Sequence, residues 1–323
     1  MSNILVVGSL NMDLVAVAPR IPQVGETLTG TEFLDQPGGK GANQAYAAAK
    51  LGGRVAMLGC VGADDHGKRL RANLASSGCD IGGVRIADCA SGVAMILVSL
   101  AGENSIVVIP GANHRVSPSD IASQQARFAA ARFALLQLEI PLETVIAAAA
   151  AAKRAGARVM LDPAPAPDEL HPDLLGAVDI LTPNESEAAA LAGYRASRLE
   201  VDDARAIAQK LRASGPGMVI IKLGAQGCLL VTAEGANVVP APQVGVVDST
   251  AAGDVFNGAL AVALDEGATP IDACRFATAA ASLSVTRLGA QASMPDQAEL
   301  HVFQPEIPRF RGASHHNTLD TSS

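Results

Sequence analysis

Aromatic residues are scarce in this chain. Its 323 residues include no tryptophan, two tyrosines and seven phenylalanines, yet 49% of the chain is hydrophobic. The core must therefore be built from alanine, valine, leucine and isoleucine, and there is ample material to bury.

Clusters of positive charge are also missing. The chain has 24 Lys and Arg against 32 Asp and Glu, a formal charge of −8, and no long basic cluster. This composition argues against a nucleic acid as partner. The alanine-rich segment 144–155 ends in Lys153 and Arg154. It is well short of the ~20 apolar residues that cross a bilayer, so we predict a packed helix and no membrane contact.

Cysteine usage excludes two further classes. The five cysteines are odd in number and form no Cys-x-x-Cys pair, which argues against a disulfide framework and a zinc site. The N-terminus leads directly into an apolar strand-like segment, without a charged leader. A cytoplasmic protein with buried thiols is expected.

Two common nucleotide-binding motifs, the Walker A loop and Gly-x-Gly-x-x-Gly, are absent. What the chain does contain is short apolar runs that alternate with helical patterns. Strands are predicted at 4–7, 55–58, 133–137, 158–161, 180–181 and 218–221. Helices are predicted at 41–51, 66–77, 118–130, 142–155, 184–192, 202–213, 253–266 and 270–284. This alternation predicts an α/β fold whose mostly parallel central sheet is covered on both faces and binds ligands at the carboxyl ends of its strands.

Two segments interrupt that alternation. Residues 14–18 with 27–33, and residues 92–100 with 105–109, each have the pattern of two strands joined by a turn. They predict a small separate β-sheet.

Two glycine-rich segments each precede an apolar helix. The first is Pro37-Gly-Gly-Lys-Gly-Ala-Asn-Gln44, and the second is Asp248-Ser-Thr-Ala-Ala-Gly-Asp254 followed by Val-Phe-Asn-Gly258. Glycine allows a ligand to approach the backbone, and free N–H groups at a helix start attract anions. Taken singly, each segment is also compatible with an ordinary turn or a capped helix.

Together the two segments resemble the paired signatures of the ribokinase family of carbohydrate kinases, also called PfkB kinases. Further matching segments occur in the expected order over roughly residues 3–300: Gly8–Asp13, Gln137–Glu139, Thr182–Glu187, Leu223–Gly227 and Thr286–Gln291. The resemblance implies a ribokinase-like three-layer sandwich with a mostly parallel central sheet and a small β-sheet lid.

The resemblance also implies roles for single residues. Asp254 is the expected general base, and Ala251, Ala252 and Gly253 are expected to offer backbone N–H groups to the transferred phosphate. The expected sugar-binding residues are Asn11, Asp13, Gly39, Lys40, Asn43 and Glu139, together with Asp254. Amides and carboxylates suit a sugar because they pair with its hydroxyls. From the residues alone, Asn11 and Asp13 could also form an Asx turn.

For the nucleotide, the resemblance implies ATP as co-substrate with Mg²⁺. The expected ATP-binding residues are Asn184, Lys222, Gly224, Gly227 and Gly253, with Glu187 organising Mg²⁺ through water. Asn184 and Glu187 also fit a helix-capping box, and both interpretations are compatible. Lys222 replaces a small hydroxyl residue usual in the family, so it could reach the phosphates or only carry surface charge. An activating K⁺ site is implied at Asp248, Thr250, Ser284, Arg287, Gly289 and Ser293.

The domain organisation follows the same resemblance. One kinase domain is expected over residues 1–308, with the lid formed by about 14–36 and 92–110, and a disordered tail over 309–323. The lid is expected to cover the sugar and to form the contact of a homodimer.

The implied activity is ATP-dependent phosphorylation of D-ribose at its 5-hydroxyl. Deoxyribose, a nucleoside, a ketohexose or a sugar acid remain alternative substrates, although no arginine lies near Asn11 or Gly39 to bind an acid. A sugar sensor without catalysis is the alternative from another class of protein, and the intact Asp254 segment argues against it.

Overall fold

The computed structural model describes residues 3–193 and 196–307 of the chain. Its strands are β1 (Ile4–Val7), β2 (Asn11–Ala18), β3 (Glu32–Gly38), β4 (Val55–Gly62), β5 (Asp80–Ala87), β6 (Gly92–Ser99), β7 (Asn104–Ile109), β8 (Phe133–Leu136), β9 (Arg158–Leu161), β10 (Ile180–Leu181), β11 (Met218–Lys222), β12 (Cys228–Thr232) and β13 (Gly235–Val239). Its α-helices are α1 (Lys40–Lys50), α2 (Asp65–Ser76), α3 (Pro118–Ser123), α4 (Gln125–Ala130), α5 (Leu142–Arg154), α6 (Pro172–Leu175), α7 (Glu185–Leu191), α8 (Val201–Ala213), α9 (Ala252–Asp265), α10 (Pro270–Ser284) and α11 (Gln297–Phe303).

A large sheet runs through the described part of the chain in the order β13-β12-β11-β10-β9-β8-β1-β4-β5. The pairs from β11 through to β5 are parallel, whereas β12 and β13 are antiparallel at one edge. Parallel pairing brings the carboxyl ends of these strands to a single edge of the sheet, where the binding groups are expected.

Helices cover both faces of this sheet and create two cores. In β1, Ile4 and Val6 belong to the core beneath α1, α2, α9, α10 and α11, while Leu5 and Val7 belong to the core beneath α3 to α8. Successive side chains of a strand point to opposite faces, so each central strand contributes to both cores. The three-layer α/β fold predicted from the sequence is confirmed.

A smaller four-stranded sheet has the order β3-β2-β6-β7. Strand β2 pairs antiparallel with β3 and parallel with β6, and β6 pairs antiparallel with β7. The small sheet predicted from the two strand pairs is therefore present. Its β2 begins at Asn11, only four residues after β1 ends, so the small sheet adjoins the site edge of the large one.

Several predicted boundaries were wrong. Residues 27–31 are not strand, and β3 instead covers 32–38 because it must pair Asn11 with Gly38. The helix predicted at 118–130 is interrupted at Gln124. The sequence interpretation also missed β5, the β12–β13 hairpin and helices α6 and α11.

Two further predictions concern the C-terminal tail and membrane contact. The tail predicted at 309–323 lies outside the described residues. Within the described ranges, no helix is both long enough and apolar enough to cross a membrane.

Candidate active site

Polar side chains converge at the carboxyl ends of the parallel strands. Gln137 directly follows β8, Asp162 directly follows β9, and Lys222 ends β11. Helices α1 and α9 bring Asn43 and Asp254 to the same place, where the Asn43 Nδ2 donates to Asp254 Oδ2 at 3.0 Å. Segments far apart in sequence thus share one site, at the edge where such sheets bind ligands.

Two glycines allow the close backbone packing that forms this site. Gly39 has a φ of 89°, and a Cβ there would lie 2.6 Å from the Asn11 backbone nitrogen. A Cβ on Gly258 of α9 would lie 2.8 Å from the Gln44 carbonyl oxygen of α1. Because only glycine fits at these positions, α1 can approach both β2 and α9.

Asn11 and Asp13 lie within β2 rather than in a turn after β1, so the Asx-turn alternative is wrong. Both are buried, with 3% and 8% exposure. The Asn113 Nδ2 donates to Asn11 Oδ1 at 2.7 Å, while the Leu10 N–H donates to Asn113 Oδ1 at 2.9 Å. Since its oxygen is already bonded, Asn11 presents its N–H₂ group as the side available to a ligand.

Glu139 lies against the first glycine-rich segment. Its Oε2 accepts a hydrogen bond from the Ser9 hydroxyl and another from the Lys40 backbone N–H at 3.1 Å. Burial, assisted by the negative charges of Glu139 and Asp254, raises the pKa of Asp13 to about 7. The structure therefore brings three predicted carboxylates into one cluster.

Asp254, in the first turn of α9, is buried with 6% exposure. Besides the Asn43 amide, the Gln44 Nε2 donates to its Oδ1 at 3.1 Å. Burial raises the pKa of Asp254 to about 6, although the Lys40 charge and the two amides oppose the increase. A carboxyl group with this pKa is mostly ionised at neutral pH yet accepts a proton more readily than an exposed one.

Lys40 supplies positive charge to the cluster. Burial alone lowers its pKa, but the carboxylates of Asp254, Asp162 and Glu139 more than compensate and leave the pKa of Lys40 above its ordinary value. Lys40 is therefore firmly charged and offsets part of the repulsion among these acids.

The turn before α9 has an unusual backbone. Ala251 adopts a left-handed conformation with φ 60°, the one non-glycine residue with positive φ in the described part of the chain. The Ala252 N–H donates to the Ser249 carbonyl at 3.2 Å, so this predicted phosphate donor is already used within the turn. N–H groups in the first turn of a helix have no partner inside it, so those of Gly253 and Asp254 are candidate donors to an anion.

Lys222 does not merely carry surface charge. Its side chain is 12% exposed, and its Nζ forms an ion pair with Asp162 Oδ1 at 2.9 Å. The flexible end of Lys222 also lies close to Gly253, since a Cβ on that glycine would be 3.4 Å from Nζ. The Lys222 ammonium group thus lies beside the turn of residues 251–253 that is predicted to bind an anion, here called the anion turn.

Asn184 and Glu187 form a capping box at the start of α7. The Glu187 N–H donates to Asn184 Oδ1 at 2.8 Å, and the Asn184 N–H donates to Glu187 Oε2 at 2.7 Å. Burial raises the pKa of Glu187, against the opposing charge of Lys222. The capping interpretation is confirmed, and both residues also border the cavity described next.

A cavity of about 530 Å³ opens beside Asp254. The cavity is lined by the anion turn, two lysines, the capping box, both glycines of the segment after β11 and several apolar side chains. The polar lining includes Lys40, Asp162, Asn184, Glu187, Lys222, Gly224, Gly227 and Gly253, and the apolar lining includes Pro242, Val244, Val246, Phe256, Ala281 and Val285. Such a cavity suits a ligand with a flat apolar part and an anionic part.

Among the predicted K⁺ residues, Asp248 contacts two others, Thr250 and Gly289. Asp248 accepts hydrogen bonds from the Thr250 N–H at 2.9 Å and the Gly289 N–H at 2.8 Å. Burial opposes the ionisation of Asp248, but these bonds and that from the Thr250 hydroxyl keep its pKa below the ordinary value. The Arg287 guanidinium instead pairs with Glu299 at 3.0 Å, so it does not neutralise Asp248.

The hydroxyls of Ser284 and Ser293 each donate to a carbonyl three residues earlier. Within the described ranges, no group of three or more His, Cys, Asp and Glu side chains is placed to hold a metal ion. The group around Asp248 comprises its ionised carboxylate, the Thr250 hydroxyl and the Gly289 backbone. Carboxylate and hydroxyl oxygens are donors that fit a hard cation.

Four residues at the site were missed from the sequence: Gln44, Asn113, Gln137 and Asp162. Gln44 and Gln137 lie inside motifs that were recognised, but nothing marked their amides as bonded to other functional groups. Asp162 directly follows a predicted strand, a position that could have marked it as part of the site. Asn113 carries no local signal, since its role depends on contacts with Leu10 and Asn11, which are 103 and 102 residues away in the chain.

Comparison with known proteins agrees with this fold. The family model for pfkB family carbohydrate kinases matches residues 1–297. The chain belongs to this family.

Individual members of the family with similar sequences or structures include ribokinases and a deoxyribokinase. The chain is 40% identical to a ribokinase of Haemophilus influenzae over 91% of this chain and 95% of that protein. A deoxyribokinase of Salmonella typhimurium is 38% identical over 91% of this chain and 95% of that protein. Among solved structures, Arabidopsis thaliana ribokinase complexed with ribose and ATP has a TM-score of 0.85 and 35% identity, and covers 94% of this chain and 98% of its own.

Proposed function

We propose that this protein transfers the γ-phosphate of ATP to the 5-hydroxyl of D-ribose and so forms ribose 5-phosphate. The observation that carries the proposal is the position of Asp254. This buried carboxylate contacts Asn43, lies close enough to Asp13 to raise its pKa, and lines the cavity together with Lys222 and Gly253. A base that adjoins both groups can accept a proton from one ligand while a phosphoryl group passes to that ligand from the other.

In the proposed reaction, the ribose 5-oxygen forms a bond to the γ-phosphorus, and the bond from that phosphorus to the bridging oxygen of ADP breaks. The hydroxyl proton passes to Asp254. Asn11 would donate to a sugar hydroxyl through its N–H₂ group, while Asp13 and Glu139 accept hydrogen bonds from others. Charge that develops on the transferred group would meet the N–H groups of Gly253 and Asp254.

ATP would occupy the cavity beside Asp254. Val244, Val246 and Val285 offer an apolar surface for the base, and Lys222 lies on the side toward Gly253. The ion pair with Asp162 would keep Lys222 directed toward the phosphates. Positioning and charge stabilisation are the main contributions that a protein makes to phosphoryl transfer.

Mg²⁺ is proposed as the metal of the nucleotide. Glu187 would hold it through water, because Mg²⁺ retains several waters and takes few protein ligands. The half-buried carboxylate of Glu187 lines the cavity and suits this cation. When bound, Mg²⁺ would neutralise phosphate charge.

Among other substrates, deoxyribose is the alternative with specific support, because one similar protein is a deoxyribokinase. A sugar acid is disfavoured, since Arg20, the arginine nearest in sequence to Asn11, is exposed and paired with Glu26. The intact base and anion turn likewise disfavour a sensor without catalysis.

A substrate panel tests the proposal. ADP release is measured with ATP, Mg²⁺ and K⁺ against ribose, deoxyribose, fructose, a nucleoside and a sugar acid. We expect kcat/KM to be highest for ribose. Higher activity with deoxyribose would replace the substrate and retain the chemistry, while no release with any member would contradict a kinase.

We also propose activation by K⁺ at the group around Asp248. Replacing K⁺ with tetramethylammonium at constant ionic strength is expected to lower kcat several-fold, because the cation would order the turn that leads into α9. The Asp248→Asn variant should lose this dependence, whereas Asp272→Asn, at an exposed helix start, should retain it. Equal turnover of the unmodified protein in the two salts would rule out the site.

A homodimer through the small sheet is proposed as well. Edge strand β7 carries Ile106, Val107, Val108 and Ile109 in succession, all with at least 43% of their surface exposed. Long apolar edges are normally covered, and a second copy of the same edge is a self-complementary cover.

Sedimentation should therefore give twice the chain mass, and Val107→Glu should give the monomer. Val238→Glu, which alters an exposed valine of edge strand β13 in the large sheet, is the matched control and should remain dimeric. A monomeric unmodified protein would refute the dimer.

A further inference from the structure

The buried side chain of Gln44 connects the two acidic groups of the site. Its Nε2 donates both to Asp254 Oδ1 at 3.1 Å and to Asp162 Oδ2 at 2.9 Å. A single amide nitrogen has two protons, so these two bonds use its full donor capacity. Gln44 is 1% exposed, so its amide is shielded from water.

A second glutamine fixes the orientation of this amide. The Gln137 Nε2 donates to Gln44 Oε1 at 2.7 Å, so the nitrogen of Gln44 must point toward the carboxylates. Gln137 is itself fully buried, and Gly8 provides the space it needs, because a Cβ there would collide with the Gln137 side chain. If the Gln44 amide were rotated by 180°, its N–H₂ group would face the N–H₂ group of Gln137, and its oxygen would face the carboxylates of Asp254 and Asp162. Both arrangements would lose hydrogen bonds and are unfavourable.

The connection continues to the phosphate side of the site. The second oxygen of Asp162 forms the ion pair with Lys222. Asp254, Gln44, Asp162 and Lys222 thus form an unbroken chain of hydrogen bonds that begins at the proposed base and ends at the proposed phosphate-binding cation.

We propose that Gln44 is a positioning residue that holds Asp254 and the Asp162–Lys222 pair at a fixed separation, with Gln137 fixing Gln44 in turn. This inference rests on the proposed kinase reaction. Gln44 would not touch either substrate. Its effect would be to keep the base aligned with the attacking hydroxyl while Lys222 remains aligned with the transferred group, an alignment that matters in the transition state.

Other charged groups also face Asp254 and must be considered. Lys40 of α1 stabilises its charge, whereas Asp162 after β9 and Asp13 of β2 oppose it. Asn43 supplies the other amide donor. The hydrogen bond from Gln44 favours the ionised form of Asp254. Removing this bond should therefore raise the pKa of Asp254.

The test is Gln44→Met, which keeps the length of the side chain but donates no hydrogen bond. We expect kcat to fall about 10- to 100-fold, because the variant loses the hydrogen bonds from Gln44 to the charged Asp254 and Asp162, and these bonds hold the base in position. The KM values for sugar and ATP should change by less than about 3-fold, as expected when an interaction aids mainly the transition state. The acidic limb of kcat/KM should move to higher pH.

Two further variants sharpen the result. Gln137→Met should change kcat in the same direction by a smaller factor, because Gln44 keeps its own contacts. Gln209→Met, at an exposed position of α8, is the matched control and should behave as the unmodified protein. Thermal unfolding identifies any variant that fails to fold.

Titration of the Asp254 carboxyl followed by ¹³C NMR reports the same rise without any turnover. An unchanged Asp254 titration, or an unchanged kcat, in folded Gln44→Met would overturn the inference. Lack of sugar phosphorylation by the unmodified protein would instead contradict the proposed function, and the NMR titration would still decide the role of Gln44.

Discussion

Asp254→Asn is expected to lower kcat for ribose by about 10²- to 10⁴-fold, because an amide cannot accept the hydroxyl proton. Ribose-dependent ADP release measures the loss. The same role predicts that kcat/KM of the unmodified protein falls with pH in two steps, as Asp13 is protonated near its pKa of about 7 and Asp254 near its pKa of about 6. Protonated Asp13 binds ribose less well and protonated Asp254 cannot act as base, so activity is retained above these pKa values and lost below them.

The control for this variant is Asp265→Asn at the opposite end of α9. Asp265 pairs with Arg132 and Asn3, away from the cavity, so its loss should affect stability rather than turnover. Binding of ribose to Asp254→Asn, measured by calorimetry, shows that the pocket is still formed. A variant that folds, binds ribose and turns over at the normal rate would remove Asp254 from the mechanism.

Asp13→Ala is expected to raise the KM for ribose by about 10²-fold, because hydrogen bonds from sugar hydroxyls to a carboxylate contribute about 1.5–3 kcal/mol each. The KM for ATP should change little, because Asp13 lies in the small sheet and not among the residues that line the cavity. Initial rates at varied ribose and varied ATP separate the two effects.

Asp35→Ala provides a matched control within the same sheet. Asp35 is exposed on β3 and forms a surface ion pair with Arg69, so its removal should leave both KM values unchanged. Asp13→Asn, which keeps the shape but not the charge, should fall between the unmodified protein and Asp13→Ala. If Asp13→Ala raised the KM for ATP and left that for ribose unchanged, Asp13 would belong to the nucleotide subsite.

The central part of the fold was predictable because its signals are local. Ile4–Val7 and Val159–Leu161 are short apolar runs that directly follow Asn3 and Arg158, and helices α2, α3 and α7 each begin at a capping side chain. Helix α9 was predicted with similar accuracy, since its predicted range 253–266 differs from the observed one by a single residue at each end.

The missed strands lack those signals. Strand β5 alternates exposed and half-buried residues and contains two adjacent glycines, so its sequence favours a turn as much as a strand. Strand β3 carries Pro37 and polar residues, and only its pairing with β2 determines where it begins. Partners distant in the chain decide such elements, which single-sequence patterns do not reveal.

The same distinction holds for the site. Asp254 and Asn43 are conspicuous because small residues and a helix start surround them. The bond that joins them spans 211 residues of chain, and Gln44 connects Asp254 to Asp162 by contacts that span 210 and 118 residues. Sequence patterns identified the groups that are expected to touch substrates, but not the amides that hold those groups in place.

The most direct test of the proposed function is the identity of the product formed from ATP and ribose. Phosphorus NMR of the reaction mixture should show a sugar phosphate whose signal couples to the two protons on carbon 5, in a one-to-one ratio with ADP. A phosphate on another carbon would contradict the proposed orientation of the sugar. Release of inorganic phosphate without any sugar phosphate would contradict the kinase itself.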